Sequence, residues 1–426
     1  MIKLIYKLIG PHSAHSNTMP ITEETAKSIC YNSPLNTGGN TLYQVPYLFN
    51  ILSPTGEFVP THVRHLKEDE PFIYELPWNI NKYIDDIFPD TPAEILDGIR
   101  SGHGYFLIND AVDPAKNHRI EEVLAGMDRN NIPRNKIIWL TGDIDTEYFN
   151  NVYGINMVVS DWNEIVVSEA VLTNEEFDKN NPKDKPKNNR FISLNRMWHQ
   201  HRMMLLYNIV KRGLIRHFDI SFLKTEINTN KTFTDYFLDF AGSRLTAEEL
   251  AEVDTYLPEI EKLLPLVVDI DASGGGAHAY NVIHSQYYFN IVPETTFFNI
   301  HNEDLCTHAS EKIFKPIMYK SPFILFGPPH VLSALRKRGY GTFGKYIDES
   351  YDDERDDAKR FKKVMDVIET ISKMDQQSLD KMYADMYPIC LHNYEVLKTR
   401  SSIALNQLVN NLKGIVCHGQ PLIGKL

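Results

Sequence analysis

Residues 287–351 read YYFNIVPETTFFNIHNEDLCTHASEKIFKPIMYKSPFILFGPPHVLSALRKRGYGTFGKYIDESY, and the rest of the chain is organised around them. An apolar run from Tyr287 ends in a carboxylate at Glu294. Ser310, Glu311 and Lys312 stand at a predicted helix start. Pro322 to Phe326 reads as a buried strand, Gly327-Pro328-Pro329 as a turn, and Val331 to Arg338 as a basic helix. Strand ends, a helix N-terminus and a glycine turn then converge on one edge, which is how an α/β sheet builds a ligand cleft.

Ser310 suits an N-cap, because its oxygen can accept from the first backbone N–H groups and the dipole of the helix then favours an anion. Lys312 stands against that dipole, since lysines stabilise the other end of a helix. The conflict is resolved by an anionic ligand such as a phosphate. A capped surface helix with a solvated lysine is the competing reading.

The pattern Glu294, Ser310-Glu311-Lys312-Ile313-Phe314 and Pro322-Phe323-Ile324-Leu325 resembles the donor-binding half of the fucosyltransferase-like glycosyltransferases, glycosyltransferase family 10. In that family an apolar strand ends in a Glu, Thr/Ser-Glu-Lys opens the next helix, and a Pro-bearing strand follows. The resemblance spans mainly Arg190 to Ser350 and implies two Rossmann-like domains of GT-B type. It also implies a nucleotide sugar bound without an essential metal. Two departures stand out: a longer gap between Glu294 and Glu311, and Pro316 inside the helix, where it should kink or shorten it.

At 426 residues the chain predicts two domains plus an appendage. Its 42% hydrophobic and 11% aromatic content is globular. A net charge of −12 argues against a general nucleic-acid-coating surface. Cys30, Cys306, Cys390 and Cys417 are scattered without a CxxC, so we expect a reduced, cytoplasmic protein with no disulfide framework and no zinc site. MIKLIYKLIG is broken by Lys3 and Lys7, and no apolar run approaches the ~20 residues of a membrane span.

Met1 to Ile9 reads as a strand. His12 and His15 form a His-x-x-His pair with no third ligand in view, the more ordinary reading being loop histidines. Gly38-Gly39 and the Pro-rich stretch from Pro54 to Pro77 read as irregular loops. Tyr105 to Asn109 is a predicted strand ending at Asp110, Arg119 to Met127 a helix, and Lys136 to Leu140 a second strand ending in Thr141-Gly142-Asp143. This βαβ unit places ligands at its strand C-termini. Asp110 is the first candidate for the general base that transfer onto a hydroxyl requires, against the reading of a loop aspartate that caps a turn. His103 is the second candidate, though it precedes the strand and belongs to the opposite edge. Asp143-Ile144-Asp145 and Asp269-Ile270-Asp271 are DxD triplets of a kind that chance supplies in an acidic chain. Val158 to Val167 brings the sheet to its edge. Phe177 to Arg190 has linker composition.

Beyond it, Arg190 to Leu194 is a strand. Met197 to Arg212 is a helix with apolar Met203, Leu206, Ile209 and Val210, stopped by Gly213. Arg196, His199, His201 and Arg202 crowd its start, where cations suit a diphosphate. The resemblance calls for an arginine after this strand, and both Arg196 and Arg202 match. Ile220 to Phe222 begins another strand. A helical insertion covers about 225–280, with a capping box at Thr246-Ala247-Glu248-Glu249 and Pro258 as a candidate break. Asp271 to His278 is a glycine loop without P-loop context. By the resemblance, Glu294 meets the ribose or sugar, and Glu311 with Lys312 holds nucleotide and phosphate. Tyr287, Ser310 and Lys315 complete the polar set. Asp348 to Asp357 is an acidic turn before a helix of about 356–373. A further helix breaks at Pro388, and the last spans about 401–412.

The expected organisation is an acceptor-side α/β domain (1–180), a linker (181–190), a donor-binding α/β domain (191–375) and C-terminal helices (376–426). The expected activity is metal-independent transfer of a sugar, hexosyl or fucosyl, from a nucleotide diphosphate sugar to a hydroxyl acceptor. No cofactor is expected beyond that donor substrate. One alternative is a phage-type enzyme acting on hydroxylated DNA bases in a host cytoplasm, which must reach a flipped base. The other is a non-catalytic nucleotide- or glycan-binding relative.

Overall fold

The computed structural model describes residues 1–6, 52, 55–62, 65–76, 88, 91–110, 117–143, 146–195, 197–225, 231–241, 247–268, 282–298 and 308–419. The chain is α/β, with two parallel sheets and a long C-terminal helix. It divides into two compact units, Met1–Trp162 with Ser402–Leu426, and Asn163–Ser401.

The first unit holds strands β1 (Ile2–Tyr6), β2 (Phe58–His62), β3 (Phe72–Glu75), β4 (Gly104–Asp110), β5 (Ile137–Thr141) and β6 (Asn156–Val159). They pair in the order β2-β1-β3-β4-β5-β6, every pair parallel. β5 is buried at all five positions, as a strand covered on both faces requires. Helices α1 (Ala93–Arg100), α2 (Asn117–Arg129) and α3 (Glu147–Tyr153) alternate with the strands. Phe72, Phe106, Ile95, Ile99, Val123 and Met127 meet in one core cluster. The chain places β2 on one side of β1 and β3 on the other, so the strand order reverses between β1 and β3.

The stretch from Pro54 to Pro77 is not wholly irregular, because it contains β2 and β3. Pro60 is tolerated because β2 is the edge strand, where a missing donor costs no ladder bond. Val158 to Val167 is likewise only half strand. β6 ends at Val159, and α4 (Trp162–Thr173) follows.

In the second unit, β7 (Asn189–Leu194), β8 (Phe218–Ser221), β9 (Tyr287–Pro293) and β10 (Phe323–Phe326) pair in parallel, in the order β10-β9-β7-β8. Here the order reverses between β7 and β9. After the short α5 (Glu176–Lys179), the helices are α6 (Gln200–Lys211), α7 (Phe233–Ala241), α8 (Ala247–Leu263), α9 (Glu311–Met318), α10 (Val331–Lys337), α11 (Asp357–Ser372) and α12 (Gln376–His418), the last belonging to this unit as far as Ser401. Gly213 stops α6 in the left-handed region at φ +67°, where glycine carries no Cβ penalty.

Neither Pro258 nor Pro388 ends its helix. α8 and the 43-residue α12 run through them. An interior proline costs about 3 kcal/mol. Around Pro388 the buried Leu379, Tyr383, Met386, Tyr387, Cys390, Tyr394 and Leu397 form an unbroken helical stripe whose burial exceeds that cost. α9 does end two residues after Pro316. Lys320 then turns left-handed, and its ammonium donates to the carbonyls of Phe177, Asp178 and Asn180.

The polar stretch 177–190 is anchored within this unit. Lys187 donates to Pro182 O, Ser285 O and Tyr383 Oη, and burial lowers its ammonium to about 8. The same unit holds a buried cluster in which Glu164 takes Arg400 at 2.8 Å, Arg338 at 3.2 Å and the Tyr340 hydroxyl at 2.6 Å. It fastens α4 to α12 and to the turn after α10.

Candidate functional site

Parallel α/β sheets bind ligands outside the strand C-termini where the strand order reverses. In the second unit that edge lies between β7 and β9, and Glu294 follows β9 directly. Its carboxylate is fully buried. Both oxygens accept from the Ser310 N–H at 3.2 Å, the Ser310 hydroxyl donates to Oε2, and the Thr295 N–H donates to Oε2 at 3.3 Å. Glu294 thus fixes the start of α9. Gly327 lets it sit there, since a Cβ at that position would stand 3.0 Å from the Cβ and Cγ of Glu294.

Ser310 is the N-cap of α9, its hydroxyl oxygen accepting from the Lys312 N–H at 3.3 Å. The Lys312 ammonium folds back over this turn, 3.2 Å from Thr295 Oγ1, 3.1 Å from Ser310 Oγ and 3.4 Å from Glu311. Burial alone would raise the Glu311 carboxyl, but Lys312 and Lys315 outweigh it and hold it below its ordinary value.

α6 begins on the other side of Glu294. His199 is its N-cap by backbone but makes no side-chain cap bond, and its first turn carries no acid. Instead the turn carries His201 and Arg202, both buried. The backbone carbonyl of Glu294 lies 2.9 Å from His201 Nε2 and 3.2 Å from Arg202 Nη2. Arg202 also reaches Met197 O and Pro293 O, while its buried Nε has no partner among the described residues. Two helix starts therefore meet at Glu294, α9 at its carboxylate and α6 at its backbone carbonyl, each bearing a cation in its first turn.

The histidines register the resulting field. Burial, then Arg202 and Lys312, bring the His199 imidazole down to about 4. Burial and the same two cations, with His199, depress His201 further still. Both rings are neutral at pH 7. Burial brings the Arg202 guanidinium to about 10, opposed by Glu294 and Glu311. His201 stacks on Phe297 at 6.0 Å, and Arg360 covers the same Phe297 ring at 4.5 Å. The N-terminus of α10 is occupied from within, by the Asp352 carboxylate on the N–H groups of Leu332 and Ser333.

Arg202, Glu294, Ser310, Glu311 and Lys312 come together, with Lys315 one turn along α9. Tyr287 does not join them. It starts β9, at the opposite edge, and donates to Asp219 at 2.6 Å. Arg196 lies outside the described residues, as do His12, His15, Gly38, Gly39, Asp145, Thr246 and 269–278.

In the first unit, Asp110 and His103 stand at opposite ends of β4. Asp110 is fully buried, bound to Arg119 Nη1 at 3.1 Å and to the Trp139 indole N–H at 3.1 Å. His103 is part-exposed, 3.9 Å from Asp69. Asp143 accepts from the Thr141 hydroxyl at 2.9 Å. No cluster able to hold a metal ion occurs among the described residues, and no helix among them is long and apolar enough to cross a membrane.

Sequence reading passed over Thr295, which helps hold the Lys312 ammonium, and Glu75, the last residue of β3. Burial raises the Glu75 carboxyl to about 8, against a hydrogen bond from Asn109 that lowers it. The only sequence signal was the apolar run Phe72-Ile73-Tyr74 between Pro71 and Pro77.

No protein-family model and no curated protein matches the chain. Among solved structures, it is similar to a glycosyltransferase from Rickettsia africae ESF-5, with TM-score 0.39 and 14% identity over 98% of each chain. It is also similar to an alpha1,3-fucosyltransferase solved with GDP-fucose, with TM-score 0.30 and 12% identity over 94% of this chain and 91% of that one.

Proposed function

We propose that the protein is a glycosyltransferase whose second unit binds a nucleotide diphosphate sugar at the β7/β9 edge, without a metal ion, and passes the sugar to a hydroxyl acceptor. One observation carries the reading. Arg202 and Lys312 stand in the first turns of α6 and α9, Arg202 on the backbone carbonyl of Glu294 and Lys312 beside Ser310, while the Glu294 carboxylate is already engaged by Ser310 and Thr295. Cations at two helix N-termini work against both dipoles; Glu294 and Glu311 offset them in part, and a bound anion offsets the remainder. A diphosphate is an anion of matching extent, and it is also the leaving group of a nucleotide sugar. Charge that builds on the departing diphosphate is stabilised by the same fixed cations and N–H groups.

In this reading Glu294 is a positioning residue that holds Ser310 and Thr295, while Arg202, Ser310, Lys312 and Lys315 face the diphosphate and Glu311 tempers the lysines. Asp110, bound to Arg119 and Trp139, is no longer the favoured proton acceptor. The test is thermal unfolding against nucleoside diphosphates and their sugars, GDP-fucose among them, with and without EDTA. A ligand bound to the folded form at 100 times its Kd adds about 2.7 kcal/mol. We expect one nucleotide to raise Tm equally in EDTA, and Lys312→Ala to abolish the rise. No shift with any nucleotide would overturn the reading.

A further inference from the structure

The first unit holds a buried guanidinium with one whole edge unused. Arg119 stands in the first turn of α2 (Asn117–Arg129), where no acid accompanies it. Side chains on a helix lean towards its N-terminus, and Arg119 reaches back to Asp110, the last residue of β4. The contact is single. Nη1 donates to Asp110 Oδ1 at 3.1 Å, while Oδ2 takes the Trp139 indole N–H at 3.1 Å. Arg119 is only 6% exposed. Its Nε and Nη2 are buried and have no hydrogen-bond partner among the described residues.

Nε and Nη2 together form the parallel pair of N–H groups that matches two oxygens of a carboxylate or a phosphate. Two other arginines of the chain show that edge filled. Arg134 gives Nε and Nη2 to the two oxygens of Asp128, at 3.2 and 2.6 Å. Arg400 gives the same pair to Glu164, at 2.8 and 3.3 Å. An arginine serving only as the counter-ion of Asp110 would turn this edge to it. The other acids at the ends of the neighbouring strands are held elsewhere, Asp143 by the Thr141 hydroxyl and Glu75 by the Asn109 amide. Buried donors are almost always satisfied, and the dipole of α2 favours an anion at the end where this pair lies open.

We propose that the start of α2 is an oxyanion-binding site, in which Nε and Nη2 of Arg119 take two oxygens of a ligand's carboxylate or phosphate group. Asp110 anchors the guanidinium through Nη1 and leaves the paired edge to the ligand. Every residue of the site belongs to the first unit, and the site does not depend on the donor reading.

The experiment titrates the intact chain and Lys312→Ala with inorganic phosphate and with acetate at constant ionic strength, chloride being the reference. Thermal unfolding reports binding, and hydrogen exchange of peptides covering 117–129 reports its place. We expect at least one of the two anions to raise Tm saturably in both chains and to slow exchange at the start of α2. Phosphate alone would assign a phosphate ester as ligand, and acetate alone a carboxylate. Arg119→Lys keeps a cation for Asp110 but has no paired edge, and should bind the same anion at least about tenfold more weakly. If Arg119→Lys does not fold, exchange at 117–129 in the other two chains decides. Binding of neither anion, protection confined to other segments, or an undiminished response in Arg119→Lys would overturn the site. A response lost in Lys312→Ala would assign the anion to the donor edge and overturn it too. A chain that binds no nucleotide can still pass this test, so the two readings fail separately.

Discussion

Two glutamates hold corresponding places in the two sheets. Glu294 follows β9 beside the reversal in the second sheet, and Glu75 ends β3 beside the reversal in the first. Glu294 is fully buried, and its carboxylate is met by the N–H groups of Ser310 and Thr295 and by the Ser310 hydroxyl. Glu75 has one amide on one oxygen and, among the described residues, nothing on the other. The same side chain at the same kind of edge is thus a structural pin in one unit and a buried, protonatable group in the other. Position in an α/β sheet brings a carboxylate to a ligand-binding edge. The hydrogen bonds waiting there decide whether it holds the fold or remains free for chemistry.

Removing the two carboxylates should have effects of opposite sign. Glu294→Ala strands the Ser310 N–H in a buried setting and frees the start of α9; chemical denaturation should show a loss of about 3 kcal/mol, together with loss of the nucleotide-induced shift. Glu75→Gln, measured in the same way at pH 9, should be more stable than the parent chain. A stability loss for Glu75→Gln at pH 9 would break the comparison.

The pH dependence follows in sign. The folded Glu75 titrates at about 8 against an ordinary value of 4.5, so the folded state keeps a proton that the unfolded chain has released. Its contribution is undiminished below about pH 4.5 and is lost as pH rises to about 8, at up to about 1.4 kcal/mol per pH unit. Glu75→Gln should remove that slope from a plot of unfolding free energy against pH, and a slope unaltered by the substitution would refute it.

Gly327→Ala probes the pin from its other side. A Cβ there meets Glu294 at 3.0 Å, and overpacking of this kind costs about 1–2 kcal/mol in denaturation experiments. The smallest effect is electrostatic. In Lys312→Ala the His199 imidazole loses one of the cations that depress it, so its NMR titration should move up from about 4 towards the ordinary 6.5. An unmoved His199 would place Lys312 away from the helix starts.

The sequence made the second sheet legible and the first only in part. β9 and β10 are apolar runs with clear ends, Ser310 caps α9 through its own side chain, and Gly213 stops α6. These are local signals. β2 and β3 are five- and four-residue strands set among prolines, and only pairing with β1 and β4 makes them strands. Pro388 read as a break because the stripe packed around it is a property of the folded chain. Glu75 drew no notice for a similar reason: its chemistry lies in burial and in an absent partner, which depend on the register of β4. Glu294 was legible as a site residue, but not as one that binds inward.

The most direct test of the central claim is hydrogen exchange of the intact chain with and without the nucleoside diphosphate that raises Tm. We predict slowed exchange in peptides covering 197–203 and 308–315, the starts of α6 and α9, and no slowing there in Lys312→Ala. Protection confined to other segments, or none at these two helix starts, would contradict it.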